Sequence, residues 1–170
     1  VKTSAYFALS DVFQTDAQNG EKMTDTTGRQ RHLIAAYSAY YENLSPDTVD
    51  QLSSMVTADF AFTDPFTTVI GPDKVCAYLA KTFSETENPK FDVTHTAFDG
   101  DMAFLRWTFS ARMRVIGQWD ITGMTALTFN KDKSLLTSHV DHWDASQNFY
   151  AKIPVLGWFI RRLARRVAAL

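Results

Sequence analysis

Apolar residues recur every three or four positions from residue 28 to residue 85, then at every second position from residue 91 to residue 143. The first period belongs to helices with one buried face, the second to strands with one buried face. In the helical half, Leu33, Tyr37, Tyr40 and Leu44 share a face, with Ile34 and Tyr41 beside them. Thr27 followed by Gln30 reads as a capping box at the start of this helix. Ser45-Pro46-Asp47 predicts the start of a second helix, with Val49, Leu52 and Val56 inward. Residues 59–66, "DFAFTDPF", read as a short strand with Phe60 and Phe62 on one side. Gly71-Pro72-Asp73 announces a third helix, striped by Val75, Leu79 and Phe83 and broken by Asn88-Pro89.

In the strand half, Phe91, Val93, His95 and Ala97 alternate with polar residues up to Asp99-Gly100, a strong hairpin turn. Residues 102–115, 118–129 and 134–144 read as three further strands, turned at Gly117 and at "NKDK". Connections this short demand antiparallel pairing, because parallel crossovers need a dozen or more residues. Asp144 with Gln147 predicts another helix start, and Pro154 sets apart a terminal helical stretch. The expected fold is α+β, with the N-terminal helices on one face of an antiparallel sheet. Strong curvature of that sheet makes a cone with a pocket inside. The reading divides the chain into a loosely ordered leader over 1–27, a domain over 28–152 and an amphipathic helix over 153–170.

Composition narrows the class. The chain has 170 residues, a net charge of −2, 45% apolar and 21% charged residues, which suits one compact domain with a sizeable core. Thirteen Phe, six Tyr and four Trp are enough to line a small-molecule pocket as well as fill a core. Cys76 is the one cysteine, so an intrachain disulfide and a cysteine zinc site are excluded. It falls in an apolar helical pattern and reads as an inert packed thiol in a reducing, cytoplasmic setting. No metal is expected, because His32 and His95 lie outside any recognisable ligand spacing. A slightly acidic chain without a recognised motif is not a nucleic-acid binder. In the tail, Leu156, Ile160, Leu163, Val167 and Leu170 oppose Arg161, Arg162, Arg165 and Arg166. Such a helix either packs on the sheet's outer face or makes weak contact with an anionic membrane surface.

Three local signatures stand in a fixed order: "FTDPF" before the third helix, "FLRWTF" in the sheet and "HVDHWD" on the last strand. With the element order, they give residues 29–150 a resemblance to the NTF2-like superfamily. That group includes ketosteroid isomerases, SnoaL-like polyketide cyclases and limonene-epoxide hydrolases. The resemblance implies a cystatin-like cone whose pocket is lined by the inner sheet face and the first helix. It matches Asp64, ahead of Pro65, to the general-base aspartate of the isomerases, and Tyr40 to their oxyanion tyrosine. Their second oxyanion acid falls at Thr125, a hydroxyl and not an acid. Against the epoxide hydrolases, Arg106 matches the arginine of Arg-x-Asp and Asp141 the last-strand aspartate, with Thr108 in place of the middle aspartate.

Each candidate also has a structural reading. Asp64 either shapes a turn before Pro65 or is a base among Phe62 and Phe66. Alternation puts His139, Asp141 and Trp143 on one face of the last strand, inward by the resemblance; they are either a reactive acid–base set or a satisfied polar pair. Arg106 and Thr108 are expected inward, with Leu105, Trp107 and Phe109 outward, an apolar outer face that a homodimer would cover. Tyr37, Phe62, Phe66, Thr108, Thr125 and Trp143 are expected to contact the ligand, a small apolar or lipid-like molecule. The function expected is cofactor-free acid–base chemistry of isomerase, cyclase or hydrolase type, with Asp64, Tyr40, Asp141, His139 and Arg106 catalytic. The alternative is a non-catalytic ligand-binding or dimeric assembly module.

Overall fold

The computed structural model describes residues 27–169. The leader expected over 1–27 therefore lies, Thr27 apart, outside the described residues. Helix α1 spans 27–42 and buries Leu33, Ile34, Tyr37, Tyr40 and Tyr41. The Gln30 side-chain amide donates to the Gly100 carbonyl at 2.9 Å, tying the helix to a hairpin of the sheet. The second expected helix is only a 3-10 segment, Val49–Ser54, which inserts Val49 and Leu52 into the core.

Six strands follow: β1 Val56–Thr63, β2 Thr68–Ile70, β3 Thr86–Asp99, β4 Met102–Met113, β5 Gly117–Phe129 and β6 Leu136–His142. Helix α2, Pro72–Glu85, sits between β2 and β3 and starts with proline in its first turn after Gly71 at φ 93°. The sheet runs β2-β1-β6-β5-β4-β3 and is curved and unclosed. Every pair is antiparallel except β1 with β6, where Phe62 stands beside His139 and Thr63 beside Val140. That single parallel pair brings the "TDPF" turn against the last strand. The Asp99–Gly100 turn and the Gly117 turn form as expected, with φ 55° and 73° at the two glycines. Strand β3 starts one residue after α2, so the helix ends before Asn88-Pro89, and the pair lies within the strand.

The phase of β4 corrects the sequence reading. Ala103, Leu105 and Trp107 are buried on the concave side, whereas Arg106 and Thr108 are exposed on the other. The apolar residues go in and the charged one out, as burial energetics favour. The outer-face argument for a homodimer therefore does not hold. β5 keeps the expected phase, with Trp119, Ile121, Thr125, Leu127 and Phe129 inward. Beyond β6, Asp144 caps the short helix α3, Ala145–Asn148, by accepting the Gln147 amide. A 3-10 turn, Tyr150–Lys152, leads to helix α4, Leu156–Ala168.

Candidate active site

Helix α1 lies across the concave face. Glu42 accepts the Val93 amide of β3 at 3.0 Å, and Tyr41 stacks on His139 of β6 with ring centroids 5.5 Å apart. Between α1, α2 and the sheet is a cavity of about 360 Å³. Its walls are aromatic: Phe66 from the β1–β2 turn, Phe62, Phe91, Trp107, Phe109 and Trp119 from the sheet, Trp143 and Phe149 after β6. Many of these rings touch, with Phe91 and Trp107 centred 5.0 Å apart, Phe109 and Trp119 5.3 Å, and Phe66 and Phe149 4.9 Å. Such a lining suits an apolar ligand of modest size.

Two sheet carboxylates reach the cavity, Asp64 and Asp141. They are held differently. Asp64 follows the last residue of β1 and closes its own turn. Its Oδ1 accepts the Phe66 and Thr67 amides, both at 2.9 Å, and its Oδ2 accepts the Tyr78 hydroxyl of α2 at 2.6 Å. The turn reading of Asp64 is thus realised, at the edge of the cavity. Tyr78 escaped the sequence reading, although it sits three residues after the core position Val75 on the helix face toward the sheet. Burial first, then its bond to Asp64, raises the Tyr78 phenol above its ordinary range, so it remains a donor.

Asp141 is only half-buried, and its partners are almost fully buried. Thr125, 1% exposed, donates to Oδ1 at 2.5 Å and itself accepts the Trp107 indole N–H at 2.7 Å. His139 Nε2 is 2.9 Å from the same Oδ1, near enough for an ion pair yet off the line of a hydrogen bond. On the other side of the ring, His139 Nδ1 is 2.9 Å from the Tyr37 hydroxyl. A proton on Nε2, toward the carboxylate, leaves Nδ1 to accept from Tyr37. Burial raises the Tyr37 phenol well above its usual value, with the Asp141 charge a lesser contribution in the same direction, so Tyr37 stays protonated. The result is a chain from Tyr37 through His139 and Asp141 to Thr125 and Trp107, spanning α1, β6, β5 and β4. No described residue donates to Asp141 Oδ2, which leaves one carboxylate oxygen for a ligand.

The expected site is thus brought together in part. His139, Asp141, Thr125, Phe62, Phe66 and Trp143 converge on the cavity or the network beneath it. Tyr40 does not: its hydroxyl donates to the Val49 carbonyl at 2.9 Å and braces the 3-10 segment. Tyr37, one turn earlier, holds the network instead. Arg106 and Thr108 stand on the opposite face of the sheet. Among the described residues no group of three His, Cys, Asp or Glu is placed to hold a metal ion. Cys76 is buried and donates to the Val49 carbonyl at 3.2 Å, away from the cavity lining.

The comparisons with known proteins agree with this architecture. The family model of the SnoaL-like domain matches residues 37–139, well over half of the chain. The chain belongs to the SnoaL-like family. That match runs from Tyr37 to His139, the two ends of the buried bond between α1 and β6. No curated protein sequence matches the SnoaL-like chain. Among solved structures it is similar to a protein of ketosteroid isomerase-like fold from Catenulispora acidiphila, crystallised with trimethylamine. The two share 18% identity and a TM-score of 0.59, over 71% of this chain and 91% of that one. A candidate SnoaL-like polyketide cyclase from Shewanella denitrificans has 21% identity and TM-score 0.57, over 70% and 92%. An LEH-like epoxide hydrolase from M. tuberculosis has 13% identity and TM-score 0.57, over 84% and 98%. Identities this low speak for the fold alone.

Proposed function

We propose that this SnoaL-like protein is a cofactor-free acid–base enzyme of isomerase, cyclase or hydrolase type. Its substrate is a small, neutral, apolar molecule bearing a carbonyl or similar oxygen. The observation that carries the reading is the Asp141 carboxylate. One oxygen is fixed by Thr125 beside His139, and the other has no donor among the described residues, on a side chain that lines the aromatic cavity. A carboxylate oriented this way, with apolar walls around the reacting atoms, is fitted to take a proton from carbon next to a carbonyl. His139, tied back by Tyr37, turns its Nε2 toward the carboxylate. Trp119 belongs to the lining, and its indole N–H is buried without a protein partner among the described residues, a donor left over at this wall. Return of the proton to another atom gives an isomer or a closed ring without net oxidation.

A second reading has its own support. Asp64 already accepts three donors and Tyr40 is committed to Val49, so the aspartate–tyrosine pair implied by the isomerase resemblance is not assembled. That favours a binding module. One experiment separates the two. Native mass spectrometry before and after denaturation identifies a co-purified small molecule. Deuterium exchange from solvent is then followed on that compound and on polycyclic enolisable ketones. The enzyme reading expects catalysed exchange that falls by about 10²–10⁴-fold in Asp141→Asn at unchanged ligand affinity. Exchange untouched by that substitution removes Asp141 from the mechanism, and tight binding without any turnover leaves the binding module.

A further inference from the structure

Helix α4 meets the Tyr150–Lys152 turn at its base and leaves most of its apolar side exposed among the described residues. Of its residues only Gly157 is buried, and Trp158, Phe159, Leu163 and Val167 are each more than half exposed. At about 100° per residue, Leu156, Phe159, Ile160, Leu163 and Val167 fall in one arc, with Arg161, Arg162 and Arg165 across from it and Arg166 at its edge beside Phe159. Charge is segregated along the chain as well as around the helix. Residues 151–170 hold five of the chain's 17 Lys and Arg and none of its 19 Asp and Glu, so this segment carries +5 and the rest of the chain −7. The helix is also fixed to the domain at its base. Gly157 abuts the Ala151 carbonyl, where a Cβ would collide, and the Arg161 guanidinium donates to the same carbonyl.

We infer that α4 lies flat on an anionic lipid surface, with its apolar arc in the headgroup boundary and its arginines against the phosphates. Thirteen residues of helix span only about 20 Å, too short to cross an apolar core of about 30 Å. Among the described residues no helix is long and apolar enough to do so. An interfacial placement uses both arcs together, one buried and one neutralised. Trp158, about 140° round from Leu163, lies among the arginines, with Arg162 stacked 5.7 Å over its ring. A second copy of the helix would cover the apolar arc but bring two arginine-rich arms together, with no acidic residue on either helix to balance them.

The test uses the full chain and two sets of vesicles, phosphatidylcholine alone and phosphatidylcholine with a phosphatidylserine minority. Co-sedimentation is expected with the anionic set, weakened by salt, and at least tenfold weaker with the neutral set. Replacing two charges, Arg165→Gln with Arg166→Gln, is expected to weaken partitioning roughly thirtyfold, each arginine being worth roughly fivefold. Leu163→Glu is expected to abolish it, while near-UV circular dichroism shows the domain intact. No sedimentation with anionic vesicles, or equal sedimentation with both sets, overturns the inference. So does a dimer in solution that Leu163→Glu converts to monomer without any vesicle binding, because the arc then belongs to a second copy.

Discussion

Thr125→Val tests the network beneath the cavity. Valine keeps the shape of threonine and removes only the hydroxyl, which here makes two bonds. The Trp107 indole N–H, on a residue 3% exposed, loses its acceptor with no described alternative. A stranded buried donor costs about 1–3 kcal/mol, and the middle of that range is appropriate for a neutral N–H. The bond from Thr125 to Asp141 engages a charged group, a type worth about 1.5–3 kcal/mol. Asp141 keeps 15% of its side chain exposed and faces the cavity, so water recovers roughly half of that bond. The sum is about 3 kcal/mol, or roughly 9 °C in Tm for a chain of this length. Thr125→Ser retains the hydroxyl and loses a methyl group, at about 1 kcal/mol. Urea unfolding of both variants isolates the hydroxyl as their difference, provided the m-values agree. A double-mutant cycle with Asp141→Asn should return a coupling of at least about 1 kcal/mol, since the pair is in direct contact. A valine variant within about 1 kcal/mol of wild type, or a serine variant as unstable as the valine one, refutes the network as drawn.

Other perturbations bear on the same structure. Gly123 stands opposite Trp107 in the β4–β5 register, and a Cβ there would lie 2.9 Å from Cε2 of the indole and closer to its outer carbons. Gly123→Ala is expected to cost about 1–3 kcal/mol by displacing that ring, and a variant with an unchanged urea midpoint would show that the ring is free to move. Burial raises the phenols of Tyr37 and Tyr41 well above their usual value, so below about pH 10 both are protonated, folded or unfolded, and their contribution is intact. As pH rises above 10 the unfolded chain loses those protons while the folded chain keeps them, and stability falls by about 3 kcal/mol per pH unit for the pair. Tyrosinate absorbance should therefore appear together with loss of near-UV circular dichroism, and tyrosinate formation in a still-folded protein would contradict the buried network.

Much of this architecture is legible in the sequence because it is local. The shift from a helical to an alternating period places the helices and the hairpins. That His139, Asp141 and Trp143 share a face follows from alternation, and that this face and Thr125 of β5 point inward follows from the resemblance. Three features are not local. The parallel pair of β1 with β6 joins residues more than 70 positions apart, and no turn signal announces it. The Ser45-Pro46-Asp47 start promises a helix, yet β1 begins already at Val56, and a 3-10 segment suffices to bury Val49 and Leu52. Tyr37, Tyr40 and Tyr41 crowd one side of α1, but Tyr40 sits about 60° round from Tyr37, enough to face Val49 and not the sheet. Counting residues back from Asp64 cannot resolve that angle. On β4 the alternation is plain, and only the choice of inward side fails. Matching Arg106 to an inward arginine outweighs, in that reading, the simpler rule that Leu105, Trp107 and Phe109 seek the core.

The outward arginine also bears on the charge of the ligand. An inward Arg106 would have offered an anionic substrate a counter-ion and would have paired Asp141 with a permanent cation. With Arg106 on the far face, the sheet lining of the cavity contains no arginine or lysine among the described residues. The remaining lining cation, Lys81 on α2, is 3.7 Å from Glu85, with both side chains more than half exposed. Asp64 and Asp141 thus give the apolar cavity a negative balance that would repel a carboxylate or phosphate ligand. A neutral molecule avoids that repulsion. The group beside Asp141 is then His139, which has its own tie to Tyr37. An imidazole with its Nε2 turned to the carboxylate leaves it free to act as a base, whereas a fixed arginine would have held it as a permanent ion pair.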